Sequence, residues 1–109
     1  PTPDAVVDGI PGSSGALTVG KLSQLQNVRA EAKDFVFEVD YEVQSFEVAF
    51  QGSGGLWDSM PSSSDRFTSQ QKTLFRQLRT GQRVMIEKIK AIGPDGVLRN
   101  LNSITITVR

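Results

Sequence analysis

Two arrangements in this 109-residue chain hold reactive groups at spacings that catalysis uses. Ser69-Gln70-Gln71-Lys72 sets a hydroxyl and an amine one helical turn apart, the geometry in which a lysine serves as base for a serine nucleophile. That chemistry needs a lysine whose pKa is depressed by burial. Lys72 instead falls on a basic stripe with Arg76 and Arg79, and Arg83 just beyond, opposite the apolar Leu74, Phe75 and Leu78. Ser69 follows a threonine placed to cap a helix, where serine is common for structural reasons. The second arrangement, Glu38, Asp40 and Glu42, offers carboxylates to a hard cation or an acid–base pair. Alternation along a strand with an acidic solvent face accounts for all three. Gly9, Gly12 and Gly15 suggest a phosphate loop, but no strand precedes them and no Gly-Lys-Ser/Thr follows. The chain has no histidine and no cysteine, which removes imidazole bases, thiol nucleophiles, disulfides, zinc fingers and most transition-metal sites together. The expectation is a domain that binds or scaffolds and is not an enzyme, with no cofactor and no metal.

The charge balance bears on partners. Net charge is zero, but residues 1–65 hold 3 basic and 10 acidic side chains, and residues 66–109 hold 9 basic and 2 acidic ones. A nucleic-acid binder usually leaves its positive charge uncompensated and interleaves aromatic residues for stacking. The stripe Lys72, Arg76, Arg79 and Arg83 does neither, so nucleic acid is not expected. Opposite charges paired across neighbouring strands are the first reading, and a charged interface with a partner is the second.

The elements that would position these groups follow from periodicity and turn chemistry. Length and composition fit one globular domain, and no apolar run approaches the roughly 20 residues of a membrane span. The opening Pro-Thr-Pro-Asp, without a methionine, reads as the start of a piece of a longer protein. Residues 1–16, with three prolines and three glycines, read as a linker or extended lead-in outside the core, and residues 17–109 as a single β-rich domain. Thr18 caps a short helical turn, Val19 to Leu25, with Leu22 and Leu25 on one side. Phe35, Phe37, Val39, Tyr41 and Val43 alternate with mostly polar neighbours; the apolar phase then flips to Phe46, Val48 and Phe50. A straight strand cannot put both sets on one face, so a bulge or bend falls near Gln44-Ser45, as in sandwich packing. Residues 52–65 form a glycine- and serine-rich loop on which Trp57 reads as a plug over the core, or alternatively as a contact residue.

Thr68 opens an amphipathic helix over about 69–80, with Gln71 completing a capping box and Gly81 placed for a left-handed cap. Val84 and Ile86 stand in one phase and Ile89 and Ala91 in the other, which predicts a second bulge. Gly93-Pro94-Asp95-Gly96 is a turn, Val97 to Arg99 returns as a hairpin, and Ile104, Ile106 and Val108 point inward from a last strand. The fold class is mainly β: a β-sandwich-like domain of antiparallel strands, kinked or bulged, with one amphipathic α-helix.

One stretch goes further than pattern. Arg66-Phe67-Thr68, Gln71-Lys72, the run Leu78 to Val84, Glu87-Lys88-Ile89-Lys90-Ala91-Ile92-Gly93-Pro94-Asp95-Gly96 and Arg99-Asn100-Leu101-Asn102-Ser103-Ile104 resemble the C-terminal domain of the GldM/PorM family. Upstream, Ala32 to Phe37 and Val43 to Phe46 resemble it as well. That family belongs to the gliding-motility and type IX secretion machinery of Bacteroidetes. The resemblance implies a periplasmic location and a parent protein anchored in the inner membrane through a missing upstream part, where it joins a proton-driven motor. It implies a dimer of elongated β domains whose last domain contacts outer-membrane-associated ring proteins. It carries no catalytic residues. Trp57, Met60, Lys72, Arg76, Arg79 and Arg83 are the candidate partner-binding residues. A free-standing carbohydrate-binding sandwich is the alternative, and it would need an exposed aromatic platform.

Overall fold

The computed structural model describes residues 3–31, 41–51 and 55–109. Within them the chain runs through β1 (Asp4–Val6), β2 (Ser14–Leu17), α1 (Val19–Ser23), β3 (Arg29–Glu31), β4 (Glu42–Gln51), β5 (Trp57–Ser62), α2 (Ser69–Gln77), β6 (Arg83–Ile92), β7 (Leu98–Asn100) and β8 (Ile104–Val108). The main sheet has the order β2-β8-β6-β4-β5, with β7 pairing β6 beyond the turn, and β1 and β3 form a separate antiparallel ribbon. All pairings are antiparallel except β2 with β8. The domain is mainly β and sandwich-like, with its core between the main sheet and a layer made of the two helices and the ribbon.

The two phase flips resolve as a matched pair of bulges. From Val43↔Ala91 to Ser45↔Lys90, β4 advances two residues against one in β6. From there to Glu47↔Glu87, β6 advances three against two in β4. Each strand absorbs one extra residue, so the offsets cancel and pairing resumes in register. As a result Val43, Phe46 and Val48 on β4, and Val84, Ile86, Ile89 and Ala91 on β6, are all buried on one side. Lys88 occupies the β6 bulge at φ 51, a left-handed conformation that costs a non-glycine residue about 1 kcal/mol. There its Nζ lies 3.2 Å from the Glu47 carboxylate. The alternating residues Phe35, Val36, Phe37, Glu38, Val39 and Asp40 lie outside the described residues.

Helix α2 is pinned by its first turn. The Thr68 Oγ1 accepts from the Gln71 N–H at 3.1 Å, and the Gln71 Oε1 accepts from the Thr68 N–H at 2.9 Å. The fully buried Gln71 side chain also donates from Nε2 to the Met60 carbonyl at 2.8 Å, which ties the helix start to β5. Phe75 and Phe46 each meet Phe67 edge to face, with ring centroids 5.3 and 5.2 Å apart, and so fasten helix to sheet. Thr18 caps α1 through the Lys21 N–H, and Leu22 and Leu25 are buried against this layer.

Four expectations need correction. Residues 1–16 are extended, but they are not outside the core: Ala5, Val7 and Ile10 are buried in it, and Ala5 donates from its N–H to the Asn102 side chain at 2.9 Å. Proline and glycine content signalled a linker, while three apolar residues supplied enough surface to dock the segment. The stretch read as a loop over 52–65 contains β5; Trp-Asp-Ser-Met-Pro-Ser has little strand propensity, and pairing with β4 imposes the conformation. Helix α2 stops at Gln77, because Leu78 turns extended to bury its side chain; Gly81 has φ +94 but serves the next turn. The opposite charges of the two halves meet across strands at Lys88–Glu47, whereas Arg29–Asp8 and Arg99–Asp95 pair within their own halves.

Two variants test these constraints. Gln71→Ala removes the two hydrogen bonds of a buried side chain, leaves the Met60 carbonyl and the Thr68 N–H without that partner, and is expected to cost about 2–3 kcal/mol in urea unfolding at unchanged m-value. Lys88→Gly is expected to stay within about 0.5 kcal/mol of the parent, because relief of the left-handed backbone offsets the lost ion pair, whereas Lys88→Ile should lose about 1–2 kcal/mol.

Candidate functional site

The register fixes which side chains face away from the core. Gln51↔Trp57, Ala49↔Ser59 and Glu47↔Pro61 pair across β4 and β5. Ala49↔Met85 and Glu47↔Glu87 continue the rows into β6, and Met85↔Thr105 and Arg83↔Thr107 carry them into β8. These residues form the open face of the main sheet, opposite the layer that holds α2. Trp57 leaves 54% of its surface in solvent there, so the plug reading is corrected and the contact reading fits its position. Its indole sits on β5 facing away from the core because it shares the phase of Ala49 and Gln51, and Met60 takes the opposite phase.

The six predicted surface residues therefore do not form one patch. Trp57 and Arg83 lie on the open face. Met60 is half-buried on the core side, where it lines an apolar recess of about 550 Å³ with Phe50 and Leu74. Lys72 reaches across to donate from Nζ to the Gln26 Oε1 at 2.9 Å. Arg76 is exposed in the last turn of α2, and Arg79 is exposed in the connection to β6, where its N–H donates to the Gln82 Oε1 at 2.7 Å. Neither arginine side chain has an ion pair among the described residues. Ser69 lines the same apolar recess as Met60, and Lys72 does not. Of the carboxylates read as a possible metal or acid–base set, Glu42 is exposed on β4 and the other two lie outside the described residues.

The tip of the β6–β7 hairpin was the most distinctive stretch of the sequence, and its residues are occupied with one another. Arg99 grips Asp95 through two bonds, Nη2 to Oδ2 at 2.7 Å and Nη1 to Oδ1 at 3.1 Å, and its guanidinium lies 5.7 Å from the centre of the Tyr41 ring. Asp95 also accepts from the Val97 N–H at 3.1 Å. The Arg99 hydrogen bonds and then the Val97 N–H pull the Asp95 carboxyl down to about 2, and the same pair raises Arg99. Gly93 is required by closeness: a Cβ there would stand 2.7 Å from the Tyr41 ring. The tip leaves Val97 and Leu98 half exposed.

Fold and surface together define a mainly β domain whose signature residues build bulges and a hairpin tip. A family model described as GldM C-terminal domain matches residues 1–109, the whole chain. The chain belongs to that family, and so to a component of the gliding-motility and type IX secretion machinery. No curated protein matches it. The resemblance drawn from residues 66–104 and the two upstream stretches is thereby shown.

The Asp95–Arg99 clasp has a signed pH dependence. Because the folded carboxyl lies below its ordinary value of 3.8, its contribution is present above that value and fades as pH falls from there towards 2. A carbon-detected NMR titration is expected to place Asp95 near 2, and Arg99→Gln to return it towards 3.8.

Proposed function

We propose that this chain is a non-catalytic periplasmic interaction domain. Its parent protein is anchored in the inner membrane, is dimeric, and couples a motor there to outer-membrane-associated ring proteins, with this domain as the contact to the ring. The observation that carries this reading is a pair of exposed cations at and just beyond the end of α2. Arg76 in its last turn and Arg79 in the connection to β6 are exposed and have no ion pair among the described residues. Rim cations of this kind raise association rates and fix register against an acidic partner more than they stabilise their own fold. Membership of the family, over the full length of the chain, supplies the machinery in which such a contact has a use.

The interior supports the same view. Every buried side-chain nitrogen and oxygen among the described residues has a hydrogen-bond partner, as a stiff interior requires. The body extends 45 Å by 23 Å by 20 Å, a shape suited to spanning distance. A member that transmits force needs a stiff core and a defined contact, and the double bulge with its bonded helix supplies stiffness.

The double charge reversal Arg76→Glu with Arg79→Glu is expected to weaken binding to the ring proteins at least tenfold, about 1.4 kcal/mol, in isothermal titration. The melting temperature should stay within about 2 °C of the parent, as expected for exposed positions. Unchanged affinity would remove these arginines from the contact.

A further inference from the structure

On the open face of the main sheet, Trp57 and Arg83 border a recess of about 540 Å³ at the mouth of the β4–β5 pair. That volume lies in the range of small-ligand sites, roughly 300–1,000 Å³. We propose that this recess binds a pyranose bearing a carboxylate, with Trp57 as the stacking platform and Arg83 as the partner of the acid group.

Four observations converge on that ligand. The half-exposed indole offers a flat apolar surface to the C–H face of a sugar ring. Among the described residues Arg83 has no ion pair and no acidic side chain lines the recess, so an incoming carboxylate meets a guanidinium that can grip it with two hydrogen bonds. Two amides are each anchored at one end. Gln51 spends its Nε2 on the Gly55 carbonyl at 2.8 Å and keeps its oxygen as an acceptor. Gln82 spends its Oε1 on the Arg79 N–H and keeps its amide hydrogens as donors. One fixed acceptor and one fixed donor, with the Thr105 hydroxyl between strands, match neighbouring sugar hydroxyls at little ordering cost. Gly81, at φ +94 and with nothing within 4 Å of the place a Cβ would take, leaves the wall bare.

A protein partner fits this lining less well. Among the described residues Trp57 and Met85 are its only large apolar side chains, whereas a protein interface needs a contiguous apolar centre and about 800 Å² from each side. The recess lies across the sheet from α2 and Arg76, and Arg79 meets it only through its backbone N–H, which a side-chain reversal leaves in place, so this inference and the proposed ring contact are tested by different variants.

Trp57 is the sole tryptophan, so its emission reports on the site directly in the unmodified 109-residue chain. Two matched pairs separate the sources of the acid sugar: N-acetylmuramic acid against N-acetylglucosamine for a cell-wall glycan, and galacturonic acid against galactose for an acidic polysaccharide. A saturable emission change is expected with the acid of at least one pair, at least tenfold tighter than with its neutral counterpart. Amide shifts in wild-type NMR spectra should centre on Gln51, Arg83, Met85 and Thr105. Arg83→Gln should abolish the preference for the acid, and Trp57→Ala should abolish binding in ligand-observed NMR. The proposal is overturned by no saturable response to either acid up to about 20 mM, by equal affinity for acid and neutral sugars, by a preference that survives Arg83→Gln, or by shifts centred elsewhere.

Discussion

Two long strands must each keep a broken apolar pattern on a single side, and everything else in this domain depends on how they do it. A lone bulge in β4 would have slipped its register against β6 and turned one half of the pairing inside out. A second bulge on the partner, one step further along, cancels the offset. Because the offsets cancel, Phe46 reaches Phe67 and thereby α2, and the same phase sends Ala49, Met85, Arg83 and Trp57 to the other face. The buried wall and the open face are consequences of one arrangement. The left-handed backbone at Lys88 is where that arrangement carries strain, and the ion pair to Glu47 across the strands partly offsets it.

Gln71 performs a second, local task of the same kind. A buried amide left unbonded would cost a few kcal/mol, so the side chain is held only because each of its polar atoms has a backbone partner. In return it places the first turn of α2 against β5, a strand with weak propensity of its own. The residues by which the family is recognised, from the Lys88 bulge through the Gly93 and Asp95 tip to Arg99, are likewise engaged with their neighbours. Their chemistry is that of construction, which fits a family whose members act as parts of a machine.

The surface divides into two sides with different characters. On the helix side, the exposed Arg76 stands near the apolar recess of Phe50, Met60 and Leu74, and Arg79 follows in the connection to β6. On the sheet side, one arginine, one indole and two anchored amides share a recess sized for a ring. The two sides adjoin at the Arg79–Gln82 turn, where the Arg79 N–H donates to the Gln82 side chain, while Arg76 on α2 and Trp57 on β5 lie on opposite sides of the sheet.

Much of this was legible in the chain alone. Period-two runs, the two phase flips, the Thr68–Gln71 cap and the Gly-Pro-Asp-Gly turn are local statements, because strand pleat, capping and turn geometry depend on residues a few positions apart. The bulges could be placed within a residue or two for that reason, and the motif from Arg66 onward identified the family. What lies far apart in sequence could not be read. Nothing near Trp57 indicates that its neighbour is Gln51 or that Arg83 shares its face; only the β4–β5 and β4–β6 pairings decide that. Residues 1–16 looked like a tether because composition describes what a segment can do in isolation, and Ala5, Val7 and Ile10 among them became core because a docking surface existed for them. Local sterics and hydrogen bonding set the elements; burial, which depends on the whole chain at once, set which of their faces met and which were left to solvent.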